Sequence, residues 1–178
     1  MTFKKAVVFF ACEASCDGRH FGPELLQRQW EAVRWLKENT DAHILLALSA
    51  AGFLPPERYS ELIVSEFLSD GIAAERIQTF GDSESTASEI DAAEAMLCKQ
   101  PPAYDEVYAA SSDYHVARIV KLWQIRHGRT VKPLPLHMPR SWYIKKRMLL
   151  EYPKRWLLHA PAWVQDRLGH VMRRLNMI

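Results

Sequence analysis

Cysteine is scarce and odd in number, with Cys12, Cys16 and Cys98 the only three among 178 residues. An odd count in a chain of this size argues against a disulfide framework. Cys12-x-x-x-Cys16 would supply half a metal site, but no second Cys/His pair follows at zinc spacing, so no metal is expected. Glycine-rich phosphate loops are missing too. There is no G-x-G-x-x-G after the first apolar run and no G-x-x-x-x-G-K-[ST] anywhere, which leaves a standard dinucleotide or P-loop site without support. G-x-S-x-G is absent as well, so a serine hydrolase of the nucleophile-elbow kind lacks its motif. No apolar run approaches the roughly 20 residues needed to cross a bilayer. The opening Met1-Thr2-Phe3-Lys4-Lys5 and the apolar stretch behind it have the outline of a signal peptide. That stretch is short, however, and Cys12-Glu13 stands where small cleavage-site residues belong. A buried first strand and a cytoplasmic protein are expected.

What is present is ordinary for a globular protein: 48% hydrophobic and 25% charged residues, enough for one domain with a sizeable core. The net charge of +2 conceals an asymmetry. Residues 137–178 hold nine Lys or Arg against two Asp or Glu, while residues 1–136 hold fourteen against nineteen. A mildly acidic body, residues 1–138, is therefore followed by a basic extension, residues 139–178.

Residues 5–11 (KAVVFFA) read as a buried strand, continuous and rich in β-branched and aromatic side chains. Pro23 suits a first helical position, and Leu25, Leu26, Trp30, Val33 and Leu36 then recur at helical spacing up to about Asn39. Further strands are expected at residues 43–48, 76–80, 105–110 and 130–136. Pro133 and Pro135 mark the last as an edge. Helices are expected from Pro55-Pro56 to Leu68, over residues 87–99 and over residues 116–127, and the extension reads as helical with breaks near Pro153 and Pro161. Alternating strand and helix call for an α/β fold, a mainly parallel sheet of about five strands with helices on both faces. Right-handed crossovers align the strand C-termini on one edge, where ligands bind at a switch point in strand order.

Four loops meet at that edge: residues 12–23, 49–56, 81–86 and 111–113. The last opens Ser111-Ser112-Asp113-Tyr114-His115-Val116-Ala117-Arg118, which packs hydroxyls, an acid, a phenol, an imidazole and a guanidinium into eight positions. His115 and Arg118, three apart, share a helix face. Hydroxyls and backbone N–H groups gather at two helix starts, Ser83, Ser85 and Thr86 at one and Ser111 and Ser112 at the other, and suit a phosphate or carboxylate. Each of these serines and threonines serves equally well as a plain helix cap, as Ser112 or Asp113 can. Glu13, Asp17, Asp82, Glu84 and Glu89 add carboxylates that can bind a sugar hydroxyl, act as acid or base, or stand solvated.

In order, five pieces resemble the DUF218 (YdcF-like) family, which includes SanA/ElyC-like envelope proteins. They are residues 18–28 with Arg28 in the opening helix, Ser49-Ala50-Ala51, Ser60-Glu61, residues 71–77 followed by Ser83-x-x-Thr86, and Ser111 to Arg118. The resemblance spans roughly residues 5–136. It implies a Rossmann-like three-layer α/β/α fold whose motifs line a pocket at the strand C-termini, with S-adenosylmethionine or another nucleotide as ligand. The residues so marked for ligand binding are Ser49, Ser83, Ser85, Thr86, Glu89, Ser111, Ser112, Tyr114, His115 and Arg118, with His115, Arg118 and Asp113 as catalytic candidates. Ala50 and Ala51 replace family glycines, Glu89 replaces an asparagine, and Ala11-Cys12-Glu13 lacks the glycine usual after the first strand.

In the extension, Trp142, Trp156 and Trp163 lie among nine basic residues, Lys145 included. Packing of its leucines and tryptophans on the sheet accounts for this pattern best. The other occupants considered are an anionic membrane surface and nucleic acid, of which nucleic acid ranks last for want of a binding motif. Two functions follow from different classes. One is a protein, enzymatic or not, that binds a small anionic, nucleotide-like ligand. The other is a non-catalytic peripheral protein of envelope biogenesis that docks on anionic lipid or a partner through residues 139–178.

Overall fold

A computed structural model of the chain describes residues 4–11, 22–49, 56–83, 85–99 and 104–138, together with Lys145, Met148 and Leu149. The chain divides into two compact units, Met1–Met138 and Pro139–Ile178. In the first, strands and helices alternate as β1 (Lys5–Phe9), α1 (Pro23–Glu38), β2 (Ala42–Ser49), α2 (Pro56–Ser69), β3 (Ile77–Ser83), α3 (Thr86–Lys99), β4 (Glu106–Ser112), α4 (Asp113–His127) and β5 (Lys132–Leu136). All the strand pairs are parallel, in the order β3-β2-β1-β4-β5. This is the α/β class with a five-stranded parallel sheet between helical layers.

Strand order dictates where the helices go. The chain winds outward from β1 through β2 to β3, then returns to the other side of β1 for β4 and β5. Right-handed crossovers therefore put α1 and α2 on one face and α3 and α4 on the other. Side chains divide accordingly, because alternate strand residues point to opposite faces. Ala6, Val8 and Phe10 join Leu45, Val107 and Ala109 against Ile90, Ala93, Val116, Ile119 and Trp123 of α3 and α4. On the opposite face, Phe9 meets Phe67 of α2 edge-on at 5.5 Å, and Trp35 of α1 lies tilted against Tyr108 at 5.2 Å.

Polar ties lock the helices where apolar packing alone would let them slide. The fully buried Trp123 donates from Nε1 to Glu94, and Arg129 clasps the same carboxylate through two hydrogen bonds of 2.7 and 2.8 Å. Burial pushes the Glu94 carboxyl up, but the Arg129 and Trp123 hydrogen bonds outweigh it and hold it at about 2. At the opposite end of the sheet from the strand C-termini, His43 links Tyr104 to the Glu75 carbonyl. The carbonyl can only accept, so Nε2 carries the hydrogen and Nδ1 accepts from the Tyr104 hydroxyl. Desolvation keeps this imidazole below its usual range.

Chain ends behave as their residues require. Gly71 and Gly128 close α2 and α4 with φ of 86° and 68°, left-handed conformations natural to glycine. In β5, Pro133 and Pro135 have the same parity, and the ladder to β4 survives because both prolines turn their missing N–H outward. That outer edge cannot accept another strand through those positions.

Several expected boundaries move. β1 stops at Phe9, two residues short, whereas β3 and β4 run three and two residues further than apolar content suggested. Ser83, Ser111 and Ser112 are thus strand residues, because parallel pairing with Ser49, Pro135 and Leu136 continues through them. α1 keeps its extent but not its expected buried face. Leu26 and Trp30 are 49% and 57% exposed, while Glu24, Arg28 and Gln29 are buried beside Leu25, Ala32 and Leu36. Trp30 instead lies against the Arg34 guanidinium at 5.3 Å.

Candidate functional site

The strand order reverses between β1 and β4, the point at which sheets of this class place a ligand beyond the strand C-termini. The charged face of α1 enters there. Arg28 is 2% exposed and its fork ties elements together: Nε donates to Ser112 Oγ at 2.7 Å, one terminal nitrogen to the Phe10 carbonyl at 2.7 Å, and the other to Glu24 Oε1 at 2.6 Å. Glu24 sits one turn earlier on the same helix, which is why the pair meets. Its Oε1 also accepts from Ser112 Oγ at 2.9 Å and from the Tyr114 hydroxyl. One carboxylate oxygen therefore gathers donors from α1, the end of β4 and the first turn of α4.

Beside this cluster runs a second one. Ser111 Oγ lies 3.2 Å from His115 Nδ1, and the Arg118 guanidinium lies 2.6 Å from His115 Nε2. A guanidinium only donates, so Nε2 is the bare nitrogen and Nδ1 bears the hydrogen, directed at Ser111. His115 is consequently no base toward Ser111, and a Ser–His nucleophile is excluded in this arrangement. The relay holds the Arg118 guanidinium against His115, one turn earlier on α4.

Glu89 is the third component. It is 8% exposed, on the first turns of α3, and its carboxyl has no hydrogen-bond partner among the described residues. Desolvation raises it to about 8, with Arg28 pulling weakly the other way. Glu24 already occupies Arg28, so Glu89 remains a neutral acid at pH 7.

The expected residues thus separate. Ser111, Ser112, Tyr114, His115 and Arg118 come together at the end of β4 and the start of α4, while Glu89 is buried on α3. Ser83 is buried at the last position of β3, paired in register with Ser49. Ser85 is an exposed helix cap: its Oγ accepts from the Ser88 N–H at 3.2 Å, and Ser88 Oγ returns the bond to the Ser85 N–H at 3.0 Å. Thr86 follows it as the first helical residue. Asp113, expected as a catalytic candidate or cap, accepts from the adjacent Tyr114 N–H at 2.7 Å and faces His137 at 3.5 Å. Ser112 holds the cap position of α4 yet makes no cap bond, because Arg28 and Glu24 claim its hydroxyl.

Glu13, Asp17, Glu84, Ala50, Ala51, Cys12 and Cys16 lie outside the described residues, as do the side chains of Ser49 and Asp82 and residues 139–178 apart from the three named above. Among the described residues no His, Cys, Asp and Glu side chains are grouped to hold a metal, and no helix is long and apolar enough to cross a membrane. Sequence reading did not count Glu24 and Arg28 among the site residues. The available signal was an acid and a base four apart, in line with Ala32 and Leu36 on one helical stripe.

No family model matches the chain, and no curated protein or solved structure matches it.

Two outcomes check this electrostatic description. Glu24→Ala strands a buried guanidinium and is expected to cost about 3–5 kcal/mol in urea unfolding, whereas Glu24→Leu combined with Arg28→Met recovers at least half of that loss. Glu89 works in the opposite sense. Its carboxyl has an ordinary value of 4.5 and a folded value of about 8, so between the two the folded state holds a proton that the unfolded state releases. Stability from this group therefore falls as pH rises from 4.5 to 8. Glu89→Gln should gain on wild type as pH rises, from near equality at pH 4.5 to about 4 kcal/mol more stable at pH 8.

Proposed function

We propose that the chain binds a small anionic, nucleotide-like ligand in the crevice between β1 and β4, with its anionic group against Arg118 and the N-terminus of α4. The observation that carries this reading is the relay Ser111–His115–Arg118, which orients a guanidinium at the C-terminal end of β4, where strand order reverses. A guanidinium held by a neighbouring imidazole has already lost rotamer freedom, so less entropy is lost when it meets a phosphate or carboxylate. The helix dipole adds to the same field. The resemblance of Ser111 to Arg118 to the DUF218 pattern points the same way and adds S-adenosylmethionine to the candidate ligands.

No reaction is assigned. The tautomer of His115 argues for recognition over nucleophilic chemistry at Ser111, and the Glu24–Arg28 pair acts as a positioning device.

Thermal-shift measurements with AMP, ADP, a nucleotide sugar and S-adenosylmethionine test the proposal. At a hundredfold excess over Kd, binding contributes about 2.7 kcal/mol, which corresponds to roughly 5–10 °C for a domain of this size. His115→Ala and Arg118→Ala should each remove more than half of the shift while leaving the unliganded melting temperature within a few degrees. A full-sized shift in both variants, or none with any compound in wild type, would refute it.

A further inference from the structure

We propose that the groove between α1 and β5 is a binding site for a small aliphatic polyamine. The inference is independent of the crevice beyond β1 and β4. A cavity of about 250 Å³ opens in the groove, where Glu31, Trp35 and Glu38 line it from α1 and Leu134 and Pro135 from β5.

The sequence places these groups together. Residues 31, 35 and 38 are four and three apart, so they stand in one row along α1. Trp35 sets the direction of that row, because it lies against Tyr108 of β4, the strand paired with β5. Pro133 and Pro135 leave the outer edge of β5 without N–H donors, so a visiting backbone finds no ladder there. A small molecule held through side chains is the occupant such a wall admits.

Chemistry narrows the class. Two carboxylates stand at the ends of the row with an indole between them, above Leu134 and Pro135. Carboxylates accept from ammonium groups, an indole attracts a cation, and methylene carbons lie well on apolar side chains. Glu31 and Glu38 are seven residues apart, about 10 Å along the helix axis. That span suits a chain with an ammonium group at each end. The chain as a whole carries +2, so its overall charge does not draw a polycation.

Arg34 supplies the resting counter-ion. It also lines the cavity, donates to Glu31 Oε2 at 2.9 Å and has a side chain that is 60% exposed. An incoming ammonium takes its place on Glu31, and Trp30, 5.3 Å from the guanidinium, keeps the displaced cation on the surface. Glu38 is exposed and has neither hydrogen bond nor ion pair among the described residues, so it meets the other end of the ligand at no cost in broken contacts.

Calorimetric titration of the full chain at low salt with spermidine, butylamine and magnesium chloride tests the proposal. Spermidine should bind about tenfold or more tightly than either of the others, because its charges engage both carboxylates at once. Glu38→Gln should weaken spermidine about threefold or more and leave the melting temperature unchanged. Arg34→Ala should strengthen it about threefold, since Glu31 is then unoccupied. Glu66→Gln, which removes an exposed acid of α2, should leave the affinity as it is. Equal affinity for spermidine, butylamine and magnesium, or full spermidine affinity in Glu38→Gln, overturns the proposal. So does an equal loss in Glu66→Gln and Glu38→Gln, which marks attraction to diffuse charge, and so does weaker binding in Arg34→Ala.

Discussion

A single carboxylate oxygen, Glu24 Oε1, holds the crevice end of the sheet together. It takes hydrogen bonds from Arg28, Ser112 and Tyr114, and Arg28 in turn grips the carbonyl of Phe10. Through these contacts the start of α1, the ends of β1 and β4, and the first turn of α4 become one rigid corner. The corner matters because β1 and β4 are where the chain's connections part, one passing to each face. A buried ion pair adds little to stability compared with apolar residues of the same volume. Its effect here is on shape: it fixes the distance between two helix starts that hydrophobic packing specifies only loosely. The neighbouring relay from Ser111 through His115 to Arg118 springs from the same β4–α4 turn and inherits that rigidity.

Two buried acids beside one guanidinium have opposite fates. Glu24 accepts from Arg28, Ser112 and Tyr114. Glu89 has no such donor among the described residues and is a neutral acid at pH 7.

The architecture was legible because period and punctuation agreed: apolar runs for the strands, Pro23 and the Asp70-Gly71 pair for helix limits, and Pro133 and Pro135 for the edge. Polar strand ends were not. Gly81 to Ser83 and Ser111-Ser112 look like loops by composition, and only pairing across the sheet makes them strands. The same blindness affected α1. Leu26 and Trp30 match a helical period as well as the true stripe does, and hydrophobicity alone cannot know that a neighbouring strand offers Ser112 and the Phe10 carbonyl to an arginine. His115, Arg118 and Glu89 could be named as candidates from their setting in the chain. Their hydrogen-bonded states could not, since a tautomer and an unpaired carboxyl are properties of the folded surroundings.

Amide chemical-shift mapping tests the central claim, that the crevice between β1 and β4 is where this chain meets a ligand. Titration with AMP should move the resonances of residues 111–118 and of the first turns of α1 and α3, and leave the β5 edge and the His43 end of the sheet unchanged. Shifts centred on those distant surfaces, with residues 111–118 unmoved, would contradict it.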